Sequence, residues 1–269
     1  MTILIVIQSD LKNLTIWCKT NLFFLNFDKC FTISFSKKDY SISYNYHLDD
    51  AFYCIRIISI KDLGVTFDSK LTFNEHITRV VSKANRTWGF IFRNTKAFRN
   101  PNCIRYLYIS LIKSVVMYAS TIWRPNQKTN IARLERIQHK VLRHLASLSG
   151  SPMSRYDHDY SKIAETFDMS TILSSMIASD NLFTFKIVSD TIRCPELKIL
   201  FPLNNPSYPL RHNQPFYPPV PFTRHSETNP IYRLCIAYNA LSQKTCVLNF
   251  TIHTNIMSRI IKINTLSNS

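Results

Sequence analysis

Residues 74–93 read NEHITRVVSKANRTWGFIFR, and this run decides how the middle of the chain folds. Ile77, Val80, Val81, Ala84, Trp88, Ile91 and Phe92 recur at helical periodicity and predict one apolar face. Arg79, Lys83, Arg86 and Arg93 follow at spacings of four, three and seven and fall on the opposite face. A complete apolar stripe beside a continuous basic one predicts a helix buried on one side and cationic on the other.

Working outward, Asn100-Pro101 is a helix cap followed by proline at the first helical position. Ile104, Leu107, Tyr108, Leu111, Ile112, Val115, Val116, Ala119 and Ile122 surround the helix that follows almost fully, so it is expected to be central and to end at Trp123-Arg124-Pro125. A third helix is predicted over residues 130–148, with Ile131, Leu134, Val141, Leu145 and Leu148 inward. Its Arg133, Arg136, Lys140 and Arg143 point outward, and Gly150 is a natural stop. Residues 70–150 are thus expected to form a basic three-helix bundle.

Upstream, residues 1–69 predict a helix on a small antiparallel sheet. Residues 8–21 look helical, with Leu11, Leu14 and Cys18 sharing a face. Phe31, Ile33 and Phe35 alternate, and the alternation resumes at Tyr40, Ile42, Tyr44 and Tyr46, which predicts a β-hairpin. Residues 55–65 are a further strand candidate. Downstream, residues 161–192 predict a helical pair within a helical extension over 151–194. Nine of the twelve prolines lie between Pro195 and Pro230, so residues 195–269 read as an extended proline-rich segment with a last helix at 231–243 and a low-information tail at 251–269.

Net charge sharpens this division. The formal charge of +16 is spread unevenly: residues 1–69 carry 7 basic and 7 acidic side chains, residues 70–150 carry 15 and 2, and residues 151–269 carry 11 and 8. Like charges at neighbouring helical positions repel, so a block this one-sided points to a polyanionic partner, nucleic acid ahead of an anionic membrane. The only glycines, Gly64, Gly89 and Gly150, are far apart, which excludes dinucleotide-binding and phosphate-loop folds. Seven cysteines at scattered spacings give no thiolate zinc pattern and are expected to be reduced. Met1 and Ile3-Leu4-Ile5-Val6-Ile7 lack a basic leader and a cleavage site, and Arg105 and Lys113 interrupt the long apolar run at 104–123. The expectation is an intracellular chain, in cytoplasm or nucleus, with no membrane or small-molecule partner.

With these segments in order, the chain resembles the C-terminal part of the reverse transcriptases of non-LTR (LINE, jockey-like) retrotransposons. The resemblance covers roughly residues 8–248. It is carried by Gln8-Ser9-Asp10-Leu11 through Trp17-Cys18, Leu25-Asn26-Phe27-Asp28-Lys29-Cys30, Lys61-Asp62-Leu63-Gly64-Val65, and Leu71-Thr72-Phe73-Asn74-Glu75-His76-Ile77. Further on come Lys83-Ala84-Asn85-Arg86, Tyr118-Ala119-Ser120 to Trp123, and Leu134-Glu135-Arg136-Ile137-Gln138, with weaker echoes at Cys194-Pro195-Glu196-Leu197 and Asn229-Pro230-Ile231-Tyr232-Arg233. Many short matches in collinear order are far more specific than any one of them.

The resemblance implies an α+β chain: a palm remnant over 1–69, a thumb-like basic bundle over 70–150, then the helical and proline-rich parts. It implies that Lys29 lies in the lysine-bearing palm motif, and that Leu63-Gly64 is the primer-grip turn. Arg79, Lys83, Arg86, Arg93, Arg133, Arg136, Lys140 and Arg143 would contact RNA or an RNA–DNA duplex. Polymerase chemistry in that family needs carboxylates that hold two Mg²⁺ ions. By alignment the family's Asp-Asp pair would fall just before Met1, so the chain is expected to be a fragment that keeps template–primer surface without catalysis or a metal of its own.

The alternatives at single residues are plain. Asp49-Asp50 has the wrong spacing for the metal pair and reads better as a solvated turn. Asp157-His158-Asp159 has metal-compatible residue types but no partner cluster, and reads as a surface loop. Lys29 outside its motif is a surface lysine. His76, His139 and His144 read as polar packing residues, and the hairpin aromatics as core. The whole chain could also be a vestigial retroelement relic or a protein-interaction module in which the basic stripe is a solvated face. With half the palm missing, exposed Ile3 to Ile7 and the hairpin edge would favour aggregation.

Overall fold

The computed structural model describes residues 2–36, 44–49, 52–153, 159–204, 214–218 and 229–244, and within them the chain is α+β, mostly helical with small two-stranded sheets. It divides into two compact units, Met1–Ile77 and Thr78–Ser269, so the described parts of the segments expected at 151–194 and 195–269 belong to one body with the basic helices.

Unit 1 begins with helix α1 (Thr2–Thr20), which starts six residues earlier than the periodicity suggested. Its buried face is Gln8, Thr15 and Cys18 with Leu11 half-buried, while Leu14, placed inward by the sequence reading, is 46% exposed. Hydrogen bonding explains the choice of face. Gln8 Nε2 donates to the His47 carbonyl at 2.8 Å, Gln8 Oε1 accepts from the His47 amide at 3.1 Å, and Thr15 Oγ1 lies 2.9 Å from the Leu48 carbonyl. The helix thus docks by polar side chains on strand β2 (His47–Asp49), which pairs antiparallel with β3 (Phe52–Tyr53) through a bulge.

The expected hairpin over residues 30–46 is not what the described residues show. Strand β1 (Phe31–Thr32) pairs parallel with β4 (Ile55–Arg56), in the register Phe31 to Ile55 and Thr32 to Arg56. Alternation fixes which side chains share a face but is blind to the partner strand and its direction. Part of the second arm, residues 37–43, lies outside the described residues, as do Asp50, Asp157, His158 and the tail at 251–269.

The single strand expected at 55–65 is instead β4, a bend at Ile58, and β5 (Ser59–Asp62), which turns into β6 (Val65–Asp68) as an antiparallel hairpin. Its two-residue turn is Leu63-Gly64, with φ of 43° and 86°. Positive φ at both central residues is the turn geometry that matches strand twist, and only the glycine adopts it without steric cost. After β6, Asp68 accepts hydrogen bonds from the Phe73 amide at 2.7 Å and from the Thr72 amide at 2.9 Å, which fixes the chain as it enters helix α2 (Asn74–Asn94).

Unit 2 contains the larger core. The second predicted helix is not continuous. It comprises α3 (Pro101–Leu107), a π-helical stretch (Tyr108–Lys113), α4 (Ser114–Met117), a break at Tyr118-Ala119, and α5 (Ser120–Trp123). Nor is it surrounded: Ile104, Tyr108, Ile112 and Val116 are buried, while Leu111 and Ile122 are 42% and 45% exposed. A four-residue repeat runs ahead of 3.6 residues per turn by about 40° per step. The wider π turns absorb that drift and keep the four residues in line. At the break, Ala119 takes a left-handed φ of 51°, and the Trp123 indole donates to the Tyr118 carbonyl at 2.9 Å, which re-aims α5.

Helix α6 (Lys128–Leu148) buries Leu134, Ile137, Val141, Leu142 and Leu145. It ends at Gly150, whose φ is 75°, where the Ser151 amide donates to Ala146 O and the Gly150 amide to Ser147 O, the pair of bonds that closes a helix with a left-handed residue. Beyond it come α7 (Ser161–Thr166), α8 (Ile172–Val188), a short α9 (Pro195–Lys198) and α10 (Pro230–Lys244). Glu135 of α6 accepts from the Ile172 and Leu173 amides at 3.2 and 2.9 Å, so a carboxylate from one helix caps the N-terminus of α8.

The proline-rich part is not merely an extended, loop-like segment. Phe201 and Phe216 are buried in a core cluster with Phe185, Ile187, Leu234, Cys235, Tyr238 and Leu241. The Asn239 side chain pairs with the Phe216 backbone in both directions, at 3.1 and 2.9 Å, and so takes the place of a neighbouring strand.

Candidate nucleic-acid interface

Helix α2 presents the basic row that its periodicity suggested. Ile77, Val80, Ala84, Trp88 and Ile91 are buried, and Arg79, Lys83, Arg86 and Arg93 are exposed. The helix rises about 1.5 Å per residue, so the row from Arg79 to Arg93 runs about 21 Å along the axis. Phe90 sits within this row and is 58% exposed, an aromatic among cations that the apolar periodicity did not pick out. Phe92, read as core, is 45% exposed and lies edge-on to His144 at 5.1 Å.

The four basic residues of α6 have divided roles. Arg133 donates to Thr78 Oγ1 at 3.0 Å and Lys140 to Asn85 Oδ1 at 2.6 Å, so both tie α6 to α2. With the ring contacts of Trp88 and Phe92 on His144, these bonds set α2 and α6 side by side and parallel, with residue n of α2 near residue n + 55 of α6. Arg143 lies over the Tyr160 ring at 5.5 Å, and Tyr160 stacks on His139 with centroids 4.0 Å apart. Arg136 and Lys140 are exposed, while Arg133 and Arg143 are half-buried. The helical pattern placed all four outward but could not show that three of them meet neighbours.

Elsewhere the predicted residues are scattered. Lys29 ends a short 3₁₀ turn (Phe27–Lys29) and is exposed. Leu63 is 85% exposed at the tip of the β5–β6 hairpin. His76 is buried and its Nδ1 accepts from the Thr66 amide at 3.2 Å, whereas burial against aromatic rings pushes the His144 imidazole below its ordinary range. Asp159 accepts from the Ser161 amide at 3.0 Å and is held below the usual carboxylate range by its bonds to Ser161, in keeping with a helix-capping role at α7. Among the described residues no group of three His, Cys, Asp or Glu side chains is placed to hold a metal ion.

One charged cluster was invisible to the sequence reading. Asp180 of α8 is fully buried, and its carboxylate lies 3.0 Å from the Arg124 guanidinium and 3.4 Å from that of Arg233 on α10. Arg233 also donates to the carbonyls of Arg124 and Thr121, so one guanidinium gathers the carbonyls that the broken helix leaves free. Burial pushes the Asp180 carboxyl up against the pull of both guanidiniums, and pushes Arg233 down to about 10. No periodicity marks such a triad, because its members come from three elements more than fifty residues apart in sequence. Its interior placement makes it a joint between helices and not part of the exposed basic row.

No family model, curated protein or solved structure matches this chain.

Proposed function

We propose that the chain binds the phosphate backbone of an RNA or RNA–DNA duplex through the outer face of α2, in the manner of the thumb-like region of a non-LTR retrotransposon reverse transcriptase. The observation that carries this reading is the exposed row Arg79, Lys83, Arg86 and Arg93 on a helix whose other face is buried. Within α2 the row meets acid only at Glu75, one turn before Arg79, and no Asp or Glu occurs from residue 76 to residue 134. Its length of about 21 Å equals about six base-pair steps, enough to follow one strand's phosphates. Arg136 extends the surface. Arg133, Lys140 and Arg143 act mainly as ties within the unit, which narrows the proposed contact set. Under this reading the β5–β6 hairpin corresponds to the primer grip and residues 1–69 to a palm remnant.

A fluorescence-anisotropy titration with an RNA–DNA hybrid at two salt concentrations tests the reading. About four phosphate contacts give a log–log salt slope near −3 to −4, so affinity should fall on the order of a hundredfold between about 50 and about 200 mM salt. Substituting Gln at Arg79, Lys83, Arg86 and Arg93 together should flatten that slope. Salt-independent or undetectable binding sinks the proposal and leaves the row a solvated helix face, as in a relic or a protein-interaction module. No residue of the chain matches the family's paired metal carboxylates, so a primer-extension assay with Mg²⁺ should show no incorporation.

A further inference from the structure

The parallel pairing of β1 with β4 has a chemical consequence at its leading end. Phe31 faces Ile55 and Thr32 faces Arg56, and extending that register one residue beyond the strands sets Cys30 opposite Cys54. The side-chain face is settled independently. Successive residues of a strand alternate between faces, which puts Cys30, Thr32, Cys54 and Arg56 on the same side. Thr32 and Cys30 both bear on the Cys54 thiol, as that shared face requires, while the Cys30 thiol donates to the Asn26 carbonyl at 3.3 Å. Adjacent strands lie about 4.8 Å apart, inside the window of about 4.4–6.8 Å between Cα atoms that a disulfide spans. Both cysteines are unbridged and half-buried, so a small oxidant reaches them. Among the other described cysteines, Cys18 and Cys235 are buried, and Cys103 and Cys194 lie on α3 and at the start of α9.

We propose that Cys30 and Cys54 form a dithiol switch that closes to an intramolecular disulfide when the chain meets a low-molecular-weight disulfide such as oxidised glutathione. In the first step the Cys30 thiolate attacks one glutathione sulfur, the glutathione S–S bond breaks, and one glutathione thiolate leaves. The Cys54 thiolate then attacks Cys30 Sγ, the Sγ–Sγ bond forms, and the second glutathione thiolate leaves. Two electrons pass from the protein to glutathione, which is reduced to two thiols, and the two cysteine protons go to them or to solvent. Burial and the neighbouring Cys30 push the Cys54 thiol up, so closure should accelerate as pH rises. The bond ties together two strands that share only two residue pairs, in the unit with the smaller core. Closing the loop removes conformational freedom from the unfolded chain, so oxidation should stabilise unit 1.

The full chain, incubated with oxidised glutathione and then alkylated, should yield a peptide cross-link between Cys30 and Cys54 that dithiothreitol reverses. Cys103 and Cys194 should carry only glutathione, which makes them internal controls. The oxidised chain should show slower amide exchange across β1 and β4 than the reduced chain. In Cys30→Ser or Cys54→Ser the cross-link should vanish and the remaining cysteine of the pair should retain glutathione. As a check that needs no variant, dibromobimane added to the reduced wild-type chain should bridge the two sulfurs and fluoresce, since it does so only when both thiols are within its reach. Stable glutathione adducts on both cysteines with no cross-link, or a non-fluorescent bimane product, would overturn the proposal.

Discussion

Units 1 and 2 reach order by different means. Among the described residues unit 1 buries as many polar side chains as apolar ones: Gln8, Thr15, Thr66 and His76 beside Cys18, Leu48, Val65 and Ile77. Its strands are two to four residues long and paired only in twos, an arrangement that is marginal in water without further support. Polar side chains supply that support by bonding the backbone, as Gln8 does to His47, His76 to Thr66 and Asp68 to Phe73. Unit 2 instead buries Trp123, Tyr108, Phe185 and Phe216 and uses charged groups to join its helices. Charge divides the same way, with 8 basic and 8 acidic residues through Ile77 and 25 against 9 after it. The lesson is that the basic row belongs to the unit with the larger apolar core, on one helix whose regular rise sets the spacing of its four side chains.

The largest test of this contrast is Asp180→Ala. It leaves two guanidiniums in the interior without their anion, which costs about 3–5 kcal/mol. Urea unfolding should show the loss, and hydrogen exchange should accelerate in α8 and α10 but not in α1. Equal acceleration in α1 would break the claim that the units are held separately.

Next in size is the split within the basic residues. The four-Gln variant of α2 should lose hybrid affinity on the order of a hundredfold at low salt while its melting temperature stays put. Arg133→Gln with Lys140→Gln should do the reverse, lowering stability by about 1–2 kcal/mol through the lost bonds to Thr78 and Asn85 with a small change in affinity. Equal affinity losses in the two variants would erase the distinction.

Two carboxylates, one in each unit, should also respond to acid in opposite directions. Burial raises the Glu135 carboxyl above its ordinary 4.5, more than its bonds to the Leu173 and Ile172 amides and the nearby Lys113 lower it. Its contribution to unit 2 is therefore full below 4.5 and is lost as pH rises through the higher native value. At Asp68 burial also raises the pKa, but the bonds from Thr72 and Phe73 outweigh it and the native value lies below 3.8. Its contribution to unit 1 is present above 3.8 and is lost as pH falls. Exchange-monitored stability between about pH 3 and about pH 6 checks both signs, and Glu135→Gln and Asp68→Asn should each flatten their own unit's trend.

The smallest effect concerns the hairpin tip. Leu63 holds a positive φ that asparagine adopts more readily, so Leu63→Asn should stabilise β5–β6 by a few tenths of a kcal/mol. Gly64→Ala should cost about 1 kcal/mol. Exchange of the Val65 and Thr66 amides reads both.

What the sequence determined by itself was local and periodic. The two faces of α2, the inward residues of α6, the stop at Gly150, the Asn100-Pro101 cap and the uneven charge all follow from spacing along one helix or from simple counting. The turn at Leu63-Gly64 does not, since the residues alone read as one strand over 55–65 and only the family resemblance marks a turn there. Tertiary structure decided everything that depends on a partner far along the chain. It made Arg133 and Lys140 ties to α2, drew Arg124, Asp180 and Arg233 into one buried triad, and put Phe201 and Phe216 into a core from a stretch whose prolines suggested an extended loop. It also turned an expected hairpin into a parallel pair that brings Cys30 beside Cys54. The physical reason is the same each time. A periodic pattern records which way a side chain points, while the neighbour it meets is set by the packing of elements that the pattern does not connect.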